Sequence, residues 1–125
     1  MEKNIIRFGI IGGGLMGKEL ASAAARWMHL TDLNFQPVIH AVASRTENST
    51  RWFDENVPTV KYTTTNYKNL LQDPDIDAIY CAVPHNLHAE MYVDIIEHGK
   101  HLLGEKPFGI DLQANQQINA AIEKH

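Results

Sequence analysis

The chain has 125 residues, the size of one ordinary domain, and its 44% hydrophobic and 21% charged content is typical of globular proteins. The net charge of −4 is well mixed and forms no basic stripe, which argues against a nucleic-acid partner. A lone cysteine, Cys81, excludes an intrachain disulfide, and no apolar run resembles a signal peptide or reaches the ~20 residues of a membrane span. We therefore expect a cytoplasmic protein with one domain over residues 1–125, no membrane contact and a buried, unreactive Cys81.

Short apolar runs alternate with segments of helical periodicity, the pattern of βαβ units around a parallel sheet. The strands are predicted at residues 5–11, 38–43, 60–62, 76–83 and 101–104. The helices are predicted from the glycine-rich turn to about residue 28, and at 47–56, 67–71, 87–98 and 112–124, with a long loop at 31–37. The inward face of the first helix is assigned to Met16, Leu20, Ala23, Ala24 and Trp27, and that of the last to Ile118, Ala121 and Ile122. The expected fold class is α/β, a doubly wound parallel sheet of the Rossmann type.

The turn after the first strand, Gly12-Gly13-Gly14-Leu15-Met16-Gly17, matches the pattern G-x-G-x-x-G in the strand–turn–helix context that the motif requires. Gly12 would permit the tight turn, Gly14 the approach of a pyrophosphate to the backbone, and Gly17 close packing of helix on strand. Free N–H groups at the helix start, around Leu15 and Met16, would then bind the diphosphate. The alternative is a glycine turn that serves backbone geometry alone. A triphosphate-binding loop is disfavoured because Glu19 follows Lys18 where that motif needs a hydroxyl residue.

The second predicted strand ends in Ala43-Ser44-Arg45-Thr46, without the acidic residue that usually binds the 2′-hydroxyl of the NAD ribose. The hydroxyls of Ser44 and Thr46, together with Arg45, would suit a 2′-phosphate. We therefore expect NADP rather than NAD as cofactor. The alternative is that Arg45 is a solvated loop residue.

Polar residues also follow the later strands, at the sheet edge where ligands of open α/β sheets bind. His85 and His88 come after the fourth strand, but two histidines without carboxylate or cysteine companions make a poor metal site, and we expect no metal. Lys106 follows the fifth strand, where a lysine can orient a substrate hydroxyl and stabilise developing alkoxide charge. The alternative for Lys106 is an ordinary surface lysine.

A set of motifs in fixed order spans essentially the whole chain: the glycine turn, Ala43-Ser44-Arg45, the segments 73–78 and 82–88, Gly99-Lys100-His101 and Glu105-Lys106-Pro107. With these motifs the sequence resembles the Gfo/Idh/MocA oxidoreductases. It implies that Lys106 is the active-site lysine that contacts substrate hydroxyl and cofactor, that Pro107 beside it is often in a cis peptide, and that Glu105 lines the dinucleotide site. It also implies that Pro84, Asn86 and His88 border the nicotinamide ribose. His85 stands where the family more often has Asn or Thr, and we assign it no role.

The resemblance further implies a longer enzyme, because family members are more than twice this length and add an α+β domain that carries most substrate contacts, the proton-exchanging group and the oligomer interface. We expect the chain to be a fragment of an NAD(P)-dependent dehydrogenase acting on a hydroxyl of a sugar, cyclitol or related polyol. Alone it should bind dinucleotide but turn over poorly, since the groups that position substrate and move the proton are missing. The alternatives are a natural stand-alone NAD(P)-sensing module without catalysis and, more weakly, a methyltransferase that binds S-adenosylmethionine. An exposed apolar patch on the last helix would point to a missing or separate partner.

Overall fold

The computed structural model describes residues 4–125, so the first three residues of the predicted domain lie outside the described part. Five parallel strands form one sheet in the order β3-β2-β1-β4-β5. The strands are β1 Asn4–Ile11, β2 Phe35–Ala43, β3 Tyr62–Thr64, β4 Ala78–Cys81 and β5 His101–Gly104. The helices are α1 Leu15–Ala25, α2 Glu47–Asn56, α3 Lys68–Gln72, α4 His88–Glu97 and α5 Leu112–Lys124, with short 3-10 helices at Trp27–His29 and His85–Leu87. This strand order confirms the Rossmann-type prediction.

Helices cover both faces of the sheet, because successive residues of the central strands point into two separate cores. Ile10 of β1 packs with α1 and α2 through a cluster that also contains Ala21, Ala24, Ile39, Val42, Phe53 and Tyr80. Its neighbour Ile11 joins the opposite cluster, to which α3, α4 and α5 contribute Leu70, Leu71, Tyr92, Ile95 and Ile118. Burial on both faces explains why the strands are continuous apolar runs in the sequence.

The inward face of α1 agrees with the prediction only in part: Ala24 is buried and Leu20 packs against the core, as predicted. Gly17, Ala21 and Ala24 are the buried residues of this helix, whereas Met16 and Ala23 are exposed. A Cβ atom at Gly17 would lie 2.3 Å from the Gly12 carbonyl oxygen, so the helix backbone packs directly on the turn at this position. That contact turns Gly17, Ala21 and Ala24 inward, and it leaves the predicted Met16 and Ala23 outside. The α-helical part also ends earlier than predicted, at Ala25.

The second strand begins earlier than predicted, so part of the segment expected to be a loop is β-structure. Pro37 pairs with Ile6 of β1, while β3 reaches only Ala41, Val42 and Ala43. The first half of β2 therefore has a single neighbour, and proline is tolerated on such a free edge. The prediction of β3 at 60–62 was displaced by two residues, and β4 is shorter than predicted, pairing with both β1 and β5 over the same four residues.

The last helix begins where predicted. Asp111 caps α5 by accepting a hydrogen bond from the Ala114 N–H at 2.8 Å. The inward face is formed by Ala114, Ile118 and Ala121, while Ile122 is 51% exposed, contrary to the prediction. The small side chains of Ala114 and Ala121, on either side of Ile118, allow α5 to pack against α4. The larger side chain of Ile122 faces outward.

A polar network fixes the start of β4. The Lys100 ammonium donates to the carbonyl oxygens of Asp73 and Ile76 at 2.5 and 2.7 Å. The Asp73 carboxylate accepts from the Tyr62 hydroxyl at 2.7 Å and lies 3.3 Å from His40 Nε2. Burial alone would raise the pKa of Asp73, but these partners and the Asp75 N–H outweigh it and hold that pKa below its ordinary value. Lys100 and Asp73, both part of the sequence pattern that carries the family resemblance, thus have structural roles here.

Candidate functional site

A cleft opens where β1, β2 and β4 end, at the carboxyl edge of the sheet. It encloses a cavity of about 360 Å³. Five of the predicted site residues line it, namely Gly12, Gly14, Ser44, Arg45 and Pro84. Because the strand order reverses beside β1, this is the crevice in which open α/β sheets bind their ligands.

Gly12 makes the sharp turn at the bottom of the cleft. Its N–H donates to the Ala43 carbonyl at 2.9 Å, and its φ of 111° lies in the left-handed region that favours glycine. A Cβ atom here would lie 2.1 Å from the Ala82 carbonyl oxygen. Backbone from β1, β2 and the segment after β4 therefore meets at Gly12 with no room for a side chain.

Gly14 is the opposite case, since a Cβ atom there would meet nothing within 4 Å. It occupies the N-cap position of α1 and no side chain caps the helix. The first N–H groups of α1 therefore have no side-chain cap, and the backbone beside them is open where Gly14 lines the cleft. The positive end of the helix dipole lies at the same place. Leu15 and Met16, the next two residues, are exposed. The arrangement suits an anionic group on a ligand.

The end of β2 brings together only part of the predicted phosphate pocket. Ser44 Oγ accepts the Gly13 N–H at 3.1 Å, which joins the glycine turn to β2 and leaves the Ser44 hydroxyl hydrogen free to donate. Arg45 is exposed at the cleft. The Thr46 hydroxyl instead caps α2, accepting the Ser49 N–H at 3.3 Å and sharing a 2.8 Å hydrogen bond with Ser49 Oγ. The cation of the predicted trio thus faces the cleft, while Thr46 is engaged in its own helix.

The residues after β4 separate into three environments. Pro84 lines the cleft. Asn86 is exposed and lines a different, open groove between α4 and α5. His88 is wholly buried, and both of its ring nitrogens contact backbone carbonyl oxygens. The predicted grouping of these three residues around one ribose stays a prediction.

The segment Glu105-Lys106-Pro107 follows β5 and is held by two tyrosines. The Tyr80 hydroxyl donates to Glu105 Oε1 at 2.5 Å, and the Tyr92 hydroxyl donates to the Glu105 carbonyl at 2.7 Å. The Lys106–Pro107 peptide is cis, and Lys106 itself is exposed. Gly104 is required before this segment because a Cβ atom there would lie 2.6 Å from the Tyr92 ring. A lysine is thereby presented from a fixed backbone at the carboxyl edge of the sheet.

Several cleft residues were not identified from the sequence. Thr65, Tyr67 and Met91 line the cavity, and the Tyr67 hydroxyl donates to Asp94 Oδ2 at 2.8 Å. The displaced prediction of β3 hid Thr65, which comes just after the true end of that strand. The hydroxyl roles of Tyr80 and Tyr92 were also missed, although a buried tyrosine hydroxyl generally requires a partner.

Within the described residues, one group of side chains has the spacing of a metal site. The ligand atoms of His40, Asp73 and Asp75 lie within 4.8 Å of one another. The Asp73 carboxylate already accepts hydrogen bonds from Tyr62 and from the Asp75 backbone. We interpret this group as part of the structural network at the start of β4.

This sheet order, with a glycine turn that opens onto the carboxyl edge, defines a nucleotide-binding Rossmann domain. Residues 6–125 match the model of an oxidoreductase family with an NAD-binding Rossmann fold, GFO_IDH_MocA. The chain belongs to this Gfo/Idh/MocA family, as its motifs indicated.

Similar proteins are oxidoreductases that extend well beyond the matched region. The chain is 35% identical over its full length to an uncharacterised oxidoreductase, YrbE, of Bacillus subtilis, and covers 34% of that protein. Apo scyllo-inositol dehydrogenase from Lactobacillus casei superposes with a TM-score of 0.85 and 26% identity, over all of this chain and 35% of the enzyme. Levoglucosan dehydrogenase in complex with NADH and L-sorbose has a TM-score of 0.84 and 28% identity, over 96% of this chain and 32% of that one. The chain thus spans about a third of the length of these relatives. None of the helices in residues 4–125 combines the length and apolarity needed to cross a bilayer.

Proposed function

We propose that the chain binds a nicotinamide dinucleotide in the cleft, with the diphosphate at the start of α1. In the whole protein, the domain serves hydride transfer from the carbon that bears a hydroxyl of a sugar, cyclitol or related polyol, or in reverse to the corresponding carbonyl carbon. The observation that carries the proposal is the open backbone at Gly14, beside an uncapped helix N-terminus within the cleft. The NADH bound by levoglucosan dehydrogenase, a structural neighbour, supports the same ligand class.

The proposed cofactor is NADP, since β2 ends without an acidic side chain and Arg45 is the cation exposed there. A carboxylate at this position would repel a 2′-phosphate, whereas a guanidinium can bind it through two parallel hydrogen bonds. The free hydroxyl hydrogen of Ser44 provides a second donor. Thr46 contributes less than the sequence suggested, because its hydroxyl caps α2.

Lys106 is the proposed catalytic residue, because its exposed ammonium stands on a backbone held by Tyr80 and Tyr92 at the edge where the nicotinamide is expected. The nicotinamide itself supplies the hydride chemistry when bound. A lysine donating to a substrate oxygen stabilises the charge that develops there. The polyol class is supported by the relatives that act on sugars and inositols.

Further protein surface is proposed to cover β5 and α5 in the whole protein. Phe108 and Ile122 are exposed along one groove beside β5, and Leu112 at the start of α5 is 72% exposed. Apolar side chains exposed in this way are typical of a surface that packs against other protein. They favour the enzyme over a stand-alone sensing module.

Titration calorimetry of the chain with NADPH and with NADH tests the binding proposal. We expect saturable binding of both, with NADPH tighter. Replacing Arg45 with Ala removes charge-assisted hydrogen bonds to the 2′-phosphate and should weaken NADPH binding by about tenfold while leaving NADH nearly unchanged. Arg26, exposed at the far end of α1, provides the matched control in Arg26→Ala.

The possible outcomes separate the parts of the proposal. No heat with either nucleotide refutes dinucleotide binding. Equal affinity for NADH and NADPH refutes the NADP preference alone. Heat with S-adenosylmethionine but with neither nucleotide would assign the cleft to a methyl donor instead.

A further inference from the structure

His88, the first residue of α4, has an unusual hydrogen-bonding environment. Its side chain is 0% exposed and its ring stacks on Tyr92, with centroids 4.6 Å apart and planes 20° apart. Nδ1 lies 2.6 Å from the Pro107 carbonyl oxygen, and Nε2 lies 3.1 Å from the Val83 carbonyl oxygen. Both partners are backbone carbonyls, which accept hydrogen bonds and never donate them.

A neutral imidazole carries one N–H and therefore satisfies only one of these two carbonyls. Its other nitrogen would direct a lone pair at a carbonyl oxygen in a place that solvent does not reach. Burying two hydrogen-bond acceptors against each other without a donor costs free energy. Two short contacts to two acceptors are explained together when both nitrogens carry hydrogen.

We propose that His88 is a positioning residue that donates through both ring nitrogens, joining the Val83 carbonyl after β4 to the Pro107 carbonyl after β5, and so fixing the backbone that carries Lys106. The two carbonyls belong to segments that are 24 positions apart in the sequence, counted as 107 minus 83. Glu105, on the other side of Lys106, is held by Tyr80 and Tyr92. Lys106 thus stands between two anchored neighbours while its own side chain stays exposed.

This role differs from the one that the sequence suggested, in which His88 borders the nicotinamide ribose. With both ring nitrogens engaged by backbone, the side chain acts on the site through Pro107 and Lys106. The titratable groups around the ring are His85, whose ring centroid is 5.4 Å away, Tyr92 on the same helix, and Glu105 and Lys106 on the segment that His88 holds. The importance of a fixed Lys106 rests on the proposed function, but the pair of hydrogen bonds does not.

The first test is imidazole nitrogen NMR of the isotope-labelled chain at neutral pH without nucleotide. We expect two slowly exchanging ring N–H signals from His88, one on each nitrogen. His85 is the internal control, because its exposed ring should exchange with water and show neither signal. A His88 ring with one protonated and one unprotonated nitrogen would overturn the proposal, and this measurement needs no variant.

The second test compares His88→Phe, which keeps a ring to stack on Tyr92 but has no donor, with His85→Phe as the matched control. In His88→Phe the carbonyl carbon signals of Val83 and Pro107 should both move. The Lys106 amide order parameter should fall from about 0.85 to below about 0.6, the values typical of rigid and flexible backbone. His85→Phe should leave all of these unchanged.

Unchanged carbonyl signals in a folded His88→Phe protein would refute the two hydrogen bonds, and an unchanged Lys106 order parameter would refute the positioning role. If His88→Phe does not fold, the wild-type ring spectrum decides whether both nitrogens donate, and His88→Asn, which keeps one donor group, reports on Lys106. Nucleotide titration is a separate readout. A chain with both ring N–H signals that binds neither NADH nor NADPH would refute the proposed function and leave the hydrogen-bonding role of His88 intact.

Discussion

The Tyr80 hydroxyl donates a 2.5 Å hydrogen bond to Glu105 Oε1, so a side chain from the middle of β4 holds the carboxylate that precedes Lys106. Tyr80 belongs to the core beneath α1 and α2, whereas Tyr92, which holds the Glu105 backbone, belongs to the core on the other face. The segment that carries Lys106 is therefore anchored to both cores of the domain. Burial, and then the bond to Glu105, raise the pKa of the Tyr80 hydroxyl, so it remains a donor throughout the physiological range.

Replacing Tyr80 with Phe should lower the free energy of unfolding by about 1–2 kcal/mol, because a half-buried carboxylate loses its donor. Urea unfolding of Tyr80→Phe, Glu105→Gln and the double variant forms a double-mutant cycle that isolates the pair. We expect a coupling energy of about 1 kcal/mol. Additive effects of the two substitutions would show that the hydrogen bond contributes nothing to stability.

The two glycines at the cleft are predicted to respond in opposite ways to substitution. Gly12→Ala should destabilise the fold by several kcal/mol, on the order of the cost of strained backbone plus a severe clash, because its Cβ would meet the Ala82 carbonyl oxygen. Gly14→Ala should leave stability nearly unchanged, because its Cβ enters open space. Thermal unfolding of both variants measures the difference. A stable Gly12→Ala protein would contradict the geometry of the turn.

Gly14 also allows stability and binding to be separated. Gly14→Asp places a favourable N-cap residue at the start of α1, where it should leave stability unchanged or raise it by about 0.5 kcal/mol. The same carboxylate would repel a diphosphate at the helix N-terminus, and NADH affinity should fall by more than about tenfold. Gly14→Ser, which caps without charge, is the matched control and should bind with a smaller loss. Full NADH affinity in a folded Gly14→Asp protein would place the diphosphate elsewhere.

The fold was predictable because local patterns and tertiary packing agree in most of this sequence. Strand β5 and helix α5 begin and end at the predicted residues, and Asp111 caps the helix. The errors arose where tertiary contacts decided. Direct packing of the Gly17 backbone turned Gly17 and Ala21 inward in place of Met16 and Ala23. Pro37 was accepted in β2 because β3 does not extend beside it.

The site was predictable only as far as it consists of backbone turns. Gly12 and Gly14 have conformations and surroundings that the glycine spacing implied. The polar side chains were harder, because a sequence does not show which hydroxyl or ring is already engaged. The Thr46 hydroxyl caps a helix, and the His88 ring bonds two backbone carbonyls. Neither set of partners could be read from the sequence.

The network around Asp73 should govern the acid stability of the domain. Its folded pKa lies below the ordinary value of 3.8, so its contribution is complete above that pH and is lost as the pH falls through the lower folded value. Tyr62→Phe removes the 2.7 Å hydrogen bond and should shift the acid unfolding midpoint to higher pH, with a loss of about 1 kcal/mol at pH 7. Tyr67→Phe, whose hydroxyl bonds Asp94 instead, is the matched control and should leave the carboxyl titration of Asp73 unmoved in carbon NMR. An Asp73 titration that is the same in Tyr62→Phe and wild type would assign the depressed pKa to other partners.

Cys81 should make the free energy of unfolding fall at alkaline pH. Burial raises the pKa of its thiol from 9.0 to about 12, so between these values the unfolded chain loses a proton that the folded chain retains. Stability therefore falls as the pH rises through this window, by up to about 1.4 kcal/mol per pH unit from this group. Urea unfolding at pH 8 and pH 10 should show a smaller pH-dependent loss in Cys81→Ala than in wild type, whatever the cavity costs at either pH.

Native Cys81 should also resist iodoacetamide at pH 8, reacting only at the rate set by unfolding, because thiolate is the reactive form and the side chain is 0% exposed. Rapid alkylation of the folded protein would show that β4 opens locally, and the thiol would then titrate near its ordinary pKa.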